Sequence, residues 1–163
     1  MSIRLSTLLL ACCALPAQAL EPLCDTYLKA VEKTAAQAAR QMVSDLGDGI
    51  RTEAIVIDGK MYMKADRAWV KGPPTFTKME AQLNADLRSG KTKLWGCKKL
   101  GRETVDGIAT TVYSYQMDMQ GLPAPKEPPK VYIGDDGLIH AQSSDGAKVR
   151  YRYTDVTAPK VGR

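Results

Sequence analysis

Aspartate–glycine pairs punctuate this chain. Asp58-Gly59, Asp106-Gly107, Asp136-Gly137 and Asp145-Gly146 each stand between short runs rich in β-branched and aromatic residues. Such a pair is a strong short-range hairpin signal, because the favoured two-residue turn needs positive φ at both central positions. A chain divided this way is committed to antiparallel strands joined by minimal turns. The punctuation predicts strands over 50–57, 60–65 and 68–71, the last two separated by Asp66-Arg67, and then over 92–104, 108–118, 130–134, 138–143 and 147–156. The final strand alternates, with Val149, Tyr151 and Tyr153 on one face and Lys148, Arg150 and Arg152 on the other. No helical stretch separates the later strands, so they should form an antiparallel meander.

Two helices complete the expected inventory. Leu23, Tyr27, Val31, Ala35, Ala38, Met42 and Leu46 recur at three- and four-residue steps, with Lys29, Lys33, Gln37 and Arg40 opposite. This predicts a long helix over 22–46, stopped by Gly47-Asp48-Gly49. A second helix is predicted from Thr77, with Glu80 completing a capping box, Met79, Leu83 and Leu87 as its buried stripe, and Gly90 as its end. About eight strands and two helices make an α+β fold, a strongly curved antiparallel sheet with both helices covering one face.

The N-terminus carries export chemistry. Arg4 precedes an apolar run from Leu5 to Leu15, and Pro16-Ala17-Gln18-Ala19 supplies an A-x-A cleavage site. That run is too short to span a bilayer and no later stretch is apolar for long enough, so the mature chain is expected to lack a transmembrane segment. The expected division is a signal peptide over 1–19 and one domain over 20–163, located in the periplasm. The alternative is lipid anchoring at Cys12, since Leu9-Leu10-Ala11-Cys12 loosely fits a lipid-attachment box.

Cleavage after Ala19 would remove Cys12 and Cys13 and leave Cys24 and Cys97. An even pair in an exported chain points to one disulfide; the alternative is two buried thiols. Two sulfurs and a single histidine fall short of a zinc site. Without Arg4 the chain has 22 basic and 18 acidic side chains, a formal +4. That excess suits anionic lipid headgroups or an acidic partner and lacks the strength of a nucleic-acid-binding signature.

Catalytic chemistry is sparse. His140 is the only histidine, Ser143 and Ser144 lie close by without a recognisable triad motif, and Asp135-Asp136-Gly137 reads as a turn rather than a calcium loop. No nucleophile elbow, phosphate-cradling glycine loop or zinc spacing is present, so neither an enzyme nor a cofactor is expected. Met61, Met63, Met79, Met117 and Met119 would serve either as pliable pocket walls or as ordinary core filling in a chain with one phenylalanine. The basic strand positions 148, 150 and 152, and Lys91, Lys93, Lys98 and Lys99, read as solvated surface. The proline-rich segment from Leu122 to Pro129 reads as a stiff connection between strands.

Several features occur together in one order. They are the export signal, the Cys24-bearing helix, Gly59-Lys60-Met61-Tyr62-Met63-Lys64, Ala68-Trp69-Val70, Cys97 and the run from Leu100 to Gly107. Val112-Tyr113, Val131-Tyr132-Ile133-Gly134, Gly137-Leu138 and Tyr151-Arg152-Tyr153 follow. This series resembles the LolA/LppX-like group of periplasmic lipoprotein- and lipid-carrier folds. The resemblance implies an open half-barrel whose concave face is covered by helices, with a cavity between them that can hold acyl chains. It implies a lining that includes Met61, Met63, Trp69, Trp95, Tyr113, Tyr115 and Met117, with Met79 and Leu83 from the covering helix. The expected function is a non-enzymatic carrier for a lipid, acyl chain or lipoprotein. The competing expectation is an envelope protein–protein interaction module with a filled core.

Overall fold

The computed structural model describes residues 20–118 and 124–162; the export signal, Cys12, Cys13 and Met119 lie outside them. The elements in order are α1 (Pro22–Ala35), β1 (Ala39–Asp45), β2 (Arg51–Ile57), β3 (Lys60–Ala65), β4 (Ala68–Lys71), α2 (Phe76–Arg88), β5 (Leu94–Val105), β6 (Ile108–Met117), β7 (Lys130–Gly134), β8 (Ile139–Ser144) and β9 (Ala147–Arg152). The nine strands form one antiparallel sheet in the order β4-β3-β2-β1-β9-β8-β7-β6-β5. It is curved and unclosed, an open half-barrel with β4 and β5 at its edges.

Three of the four aspartate–glycine turns, at Asp58, Asp106 and Asp145, behave as expected, whereas at Asp136-Gly137 only the glycine has positive φ. Asp106 and Gly107 have φ of 47° and 85°, and Asp145 and Gly146 have φ of 47° and 81°. Both central residues are thus left-handed, which matches the twist of the flanking strands. The β1–β9 pairing, from Gln41 opposite Arg152 to Asp45 opposite Lys148, welds an N-terminal and a C-terminal meander into one sheet.

The first helix is shorter than its periodicity suggests. It ends at Ala35, and residues 39–45 of the expected helix form β1. Arg40, expected on a solvated helical face, is 1% exposed. Its Nη1 donates to the carbonyls of Thr34 and Ala35, both at 3.1 Å, and so supplies the donors that the end of α1 lacks. Ala38, Met42 and Leu46 lie four residues apart, an even step that also keeps to one face of a strand, and β1 gains a hydrogen-bonded ladder on both sides, with β2 and β9. That tertiary gain overrides a weak helix preference. Gly47-Asp48-Gly49 accordingly turns a hairpin instead of ending a helix, with Leu46 and Ile50 bonded across it at 2.9 Å.

The second helix starts one residue early and without the expected box. Thr75 is its N-cap, with no side-chain cap bond. Glu80 instead accepts from Arg40 Nη2 at 2.5 Å, tying α2 to β1. Of the expected stripe only Leu87 is buried; Met79 is 66% and Leu83 37% exposed. The reason is the seat of α2, which packs mainly against α1 and meets the sheet through β3 and the Glu80–Arg40 pair, leaving Met79 and Leu83 on its outer side.

The main core fills the space beneath α1. Tyr27, Leu28 and Ala30 meet Leu87, Leu94, Val131, Ile133 and Ile139, and Cys24 is bonded to Cys97 on β5. Arg88 clamps the two helices together, its guanidinium reaching Glu32 at 2.6 Å and Asp25 at 2.8 Å. On the other face of the sheet Val105, Val112, Tyr132 and Ala141 form a second, smaller cluster.

Candidate functional site

Strand alternation decides which side chains reach the concave face. Gln142 lies opposite Val131 and Val149 in the ladders, and Val131 belongs to the core under α1. Gln142 and Val149 therefore share that face, and so do Ser144 and Ala147 two residues away. On β6 the same face carries Tyr113, Tyr115 and Met117, all packed against the core or its border.

Past the reach of α1 this face opens into a cleft of about 500 Å³. Trp95, Tyr115 and Met117 form one wall and Gln142, Ser144, Ala147 and Val149 another, with Ala124, Pro125 and Pro129 of the proline-rich connection along the side. A smaller recess of about 250 Å³ adjoins it and shares Trp95, Met117, Pro125 and Pro129. Asp145 holds the proline-rich connection in place, its Oδ1 accepting from the Lys126 backbone N–H at 2.9 Å. The Pro129 carbonyl accepts from Tyr115 N–H at 3.2 Å, closing the segment back onto β6.

The cleft is bounded by the filled core. Tyr27 of α1 stacks on Tyr115 with ring centroids 4.3 Å apart. Burial raises the pKa of both hydroxyls, and for Tyr115 the hydrogen bond with Tyr27 partly opposes the rise. Both phenols stay neutral at physiological pH, so the inner wall carries no charge. Tyr151, one step deeper, donates to Gln142 Oε1 at 2.8 Å, and burial raises its pKa as well. Gln142 is thereby oriented with its oxygen already engaged.

Of the residues expected to line a cavity, the fold brings Trp95, Tyr115 and Met117 together in this cleft. Tyr113 shares their face but packs at the border of the core. Met61 and Met63 lie on the helix-covered face toward the opposite edge, Met61 in register with Val56 and Met63 with Ala54. Trp69 pairs with Lys64, whereas Met63 pairs with Val70, so Trp69 points to the other face from the two methionines. There it lies under the Lys64 ammonium and bridges to Val161. Met79 and Leu83 stand exposed on α2.

The residues missed are Gln142, Ser144, Ala147, Val149 and the flanking prolines. Their signal was available in part: Val149 falls on the core face of an alternating strand, and Gln142 and Ser144 are small or polar at core-face positions of β8. What was lacking was the neighbour of each strand. The proline-rich connection likewise reads as a loop, and only the fold lays it along the cleft.

His140, on β8, is 4% exposed. Its Nε2 meets the two Asp136 oxygens at 3.1 and 3.2 Å, and its ring stands edge-on to Tyr153, centroids 5.7 Å apart. Gly134 makes room, since a Cβ there would sit 2.7 Å from Nε2. Thr34 of α1 and Tyr153 complete the cluster, bonding the backbone N–H and carbonyl of Ile139. His140 thus helps to dock the end of α1 and lies apart from the cleft-lining residues.

No protein-family model matches the chain, and no curated protein matches it in sequence. Its fold has solved counterparts. LprF from Mycobacterium bovis superposes with a TM-score of 0.51 at 15% identity, over 86% of this chain and 97% of that one. The Mycobacterium tuberculosis lipoprotein LppX superposes with a TM-score of 0.51 at 14% identity, over 85% and 96%. Both alignments run nearly the whole length of the counterpart, so the similarity extends to the helices as well as the curved sheet. The chain has the LolA/LppX-like fold.

Proposed function

We propose that this chain is an exported, non-enzymatic binding protein of the cell envelope that carries a hydrophobic ligand: a lipid, an acyl chain or the lipid portion of a lipoprotein. The observation that carries the reading is the cleft of about 500 Å³, walled mainly by Trp95, Tyr115, Met117, Val149 and prolines. That volume falls in the range that holds one small ligand. Capture is passive, driven by burial of apolar surface at about 25 cal/mol per Å². The A-x-A motif at Ala17–Ala19 supports export to the periplasm, with lipid anchoring at Cys12 as the alternative.

The ligand seat proposed here is Trp95, Tyr115 and Met117 with Gln142 and Val149. It lies beside α1 rather than beneath it, because the space beneath is taken by Tyr27, Leu28 and the disulfide. Native mass spectrometry of the protein purified from its own envelope, followed by organic extraction, tests the reading. A co-purifying lipid, or uptake of a fluorescent fatty-alcohol probe that Met117→Trp abolishes, supports it. A clean apo mass together with no probe uptake sinks it.

A second reading has its own observation. Met79 and Leu83 are exposed on α2 while the core beneath is filled, which suits a module that docks an envelope protein partner through that helix. Loss of a co-purifying protein on Met79→Lys, with lipid uptake absent, would favour it.

A further inference from the structure

The charge around the cleft is one-sided. Among the described residues lining it, the ionisable side chains at its rim are Asp118 and Asp145, and no lysine, arginine or histidine lines it. The cations of β9 are on the other face: Lys148 lies over the Tyr132 ring at 4.9 Å, and Arg150 approaches Asp106 at 3.9 Å. The remaining polar groups are neutral. Among them are the hydroxyls of Ser144 and Tyr115 and the Gln142 amide, whose oxygen is already taken by Tyr151.

A free fatty acid or a phosphate-bearing lipid would have to bring its negative charge to a rim that holds two carboxylates and, among the described lining residues, no lysine or arginine. An alcohol, an amide or an ammonium head would instead donate to them. We infer that the cleft takes a single-chain amphiphile whose head group donates hydrogen bonds and carries no negative charge, with Asp118 and Asp145 setting that preference. The inference rests on the carrier reading above and names the ligand class for it. The apolar wall accepts the chain and is indifferent to the head; the two carboxylates discriminate.

Three probes with one chain length test it: dodecanoate, 1-dodecanoylglycerol and dodecylammonium, each below its micellar concentration, displacing a neutral apolar dye from the full mature chain. The neutral and cationic probes should bind at least about tenfold more tightly than dodecanoate at low ionic strength, and the gap should narrow with salt. Asp118→Asn and Asp145→Asn together should bring dodecanoate to within a few-fold of 1-dodecanoylglycerol. Asparagine keeps an oxygen for the Lys126 N–H and tolerates the left-handed backbone of Asp145, so the double variant retains the wall. Dodecanoate binding as tightly as the neutral probe overturns the inference and leaves the carrier reading standing. Loss of that binding in Lys126→Ala would then place the head in the adjoining recess, which Lys126 borders. Failure of all three probes to displace the dye removes both.

Discussion

The concave face of the sheet has two halves built from the same strands, and they end in opposite states. Beneath α1 it is closed: Leu28, Val131 and Ile139 are buried, Tyr27 covers Tyr115, and Cys24–Cys97 staples helix to edge strand. One residue pair further along β6, at Met117, the face opens into the cleft. The side chains do not explain the difference, since Tyr115 and Met117 are as apolar as Tyr113. The seat of the helix does. Tyr27 and the Cys24–Cys97 bond hold the start of α1 against Tyr115 and β5, and Lys33 and Thr34 carry its other end to the Asp136 carbonyl and Ile139, away from the Gln142–Val149 end of β8 and β9. A carrier fold can thus place its vacancy by where its covering helix is seated as well as by the size of the residues beneath.

The largest effect should come from unfastening the closed half. Replacing Cys24 and Cys97 by serine frees a loop of 73 residues. By chain entropy this should lower unfolding free energy by about 4 kcal/mol, read as a fall in the urea midpoint with little change in slope. Leu28→Ala in the same half should cost about 3 kcal/mol, whereas Met117→Ala in the cleft should cost under about 1 kcal/mol. Equal losses at the two sites would mean that the cleft is as tightly packed as the core.

Next comes the join between helices and sheet. Glu80→Ala leaves the buried Arg40 guanidinium without its carboxylate and should destabilise by about 2 kcal/mol, a figure reduced from fully buried pairs because Glu80 is 26% exposed. Arg40→Met with Glu80→Leu should recover most of that loss in a double-mutant cycle, less the two α1 carbonyls that Arg40 also serves. Additive losses in the cycle would show that the pair does not act as a unit.

The smallest effect is alkaline. Burial lifts the Tyr153 pKa from its ordinary value near 10 to about 12. Between those values the unfolded chain has lost a proton that the folded chain keeps, so stability is intact below pH 10 and falls as pH rises toward 12. Tyr153→Phe, which also removes the bond to the Ile139 carbonyl, should lower stability at neutral pH yet flatten the fall between pH 10 and 12. An unchanged slope would assign the alkaline loss to the other buried tyrosines.

Much of this was legible. Turn chemistry located β2 through β9 to within a few residues, because each Asp-Gly or Asp-Arg pair forces a local backbone state that needs no distant partner. The cysteine pair was legible from count and export context. The site was legible by face but not by place: Trp95, Tyr115 and Met117 were singled out with Trp69, which the β4 register turns to the other side. Met79 and Leu83 have the spacing of a buried stripe, but α2 has too little beneath it to bury them.

By itself the sequence determined the antiparallel hairpins, the alternation that sorts each strand into two faces, and the pairing available to its cysteines, since these depend on residues adjacent in the chain or on simple count. Only the tertiary structure decided the fate of residues 39–45, whose spacing satisfies helix and strand alike. Two flanking ladders, with β2 and β9, tip them into the sheet. That one decision shortens α1, buries Arg40 and joins the two meanders. Its physical reason is that hydrogen bonds between strands more than a hundred residues apart are absent from any local window of the chain.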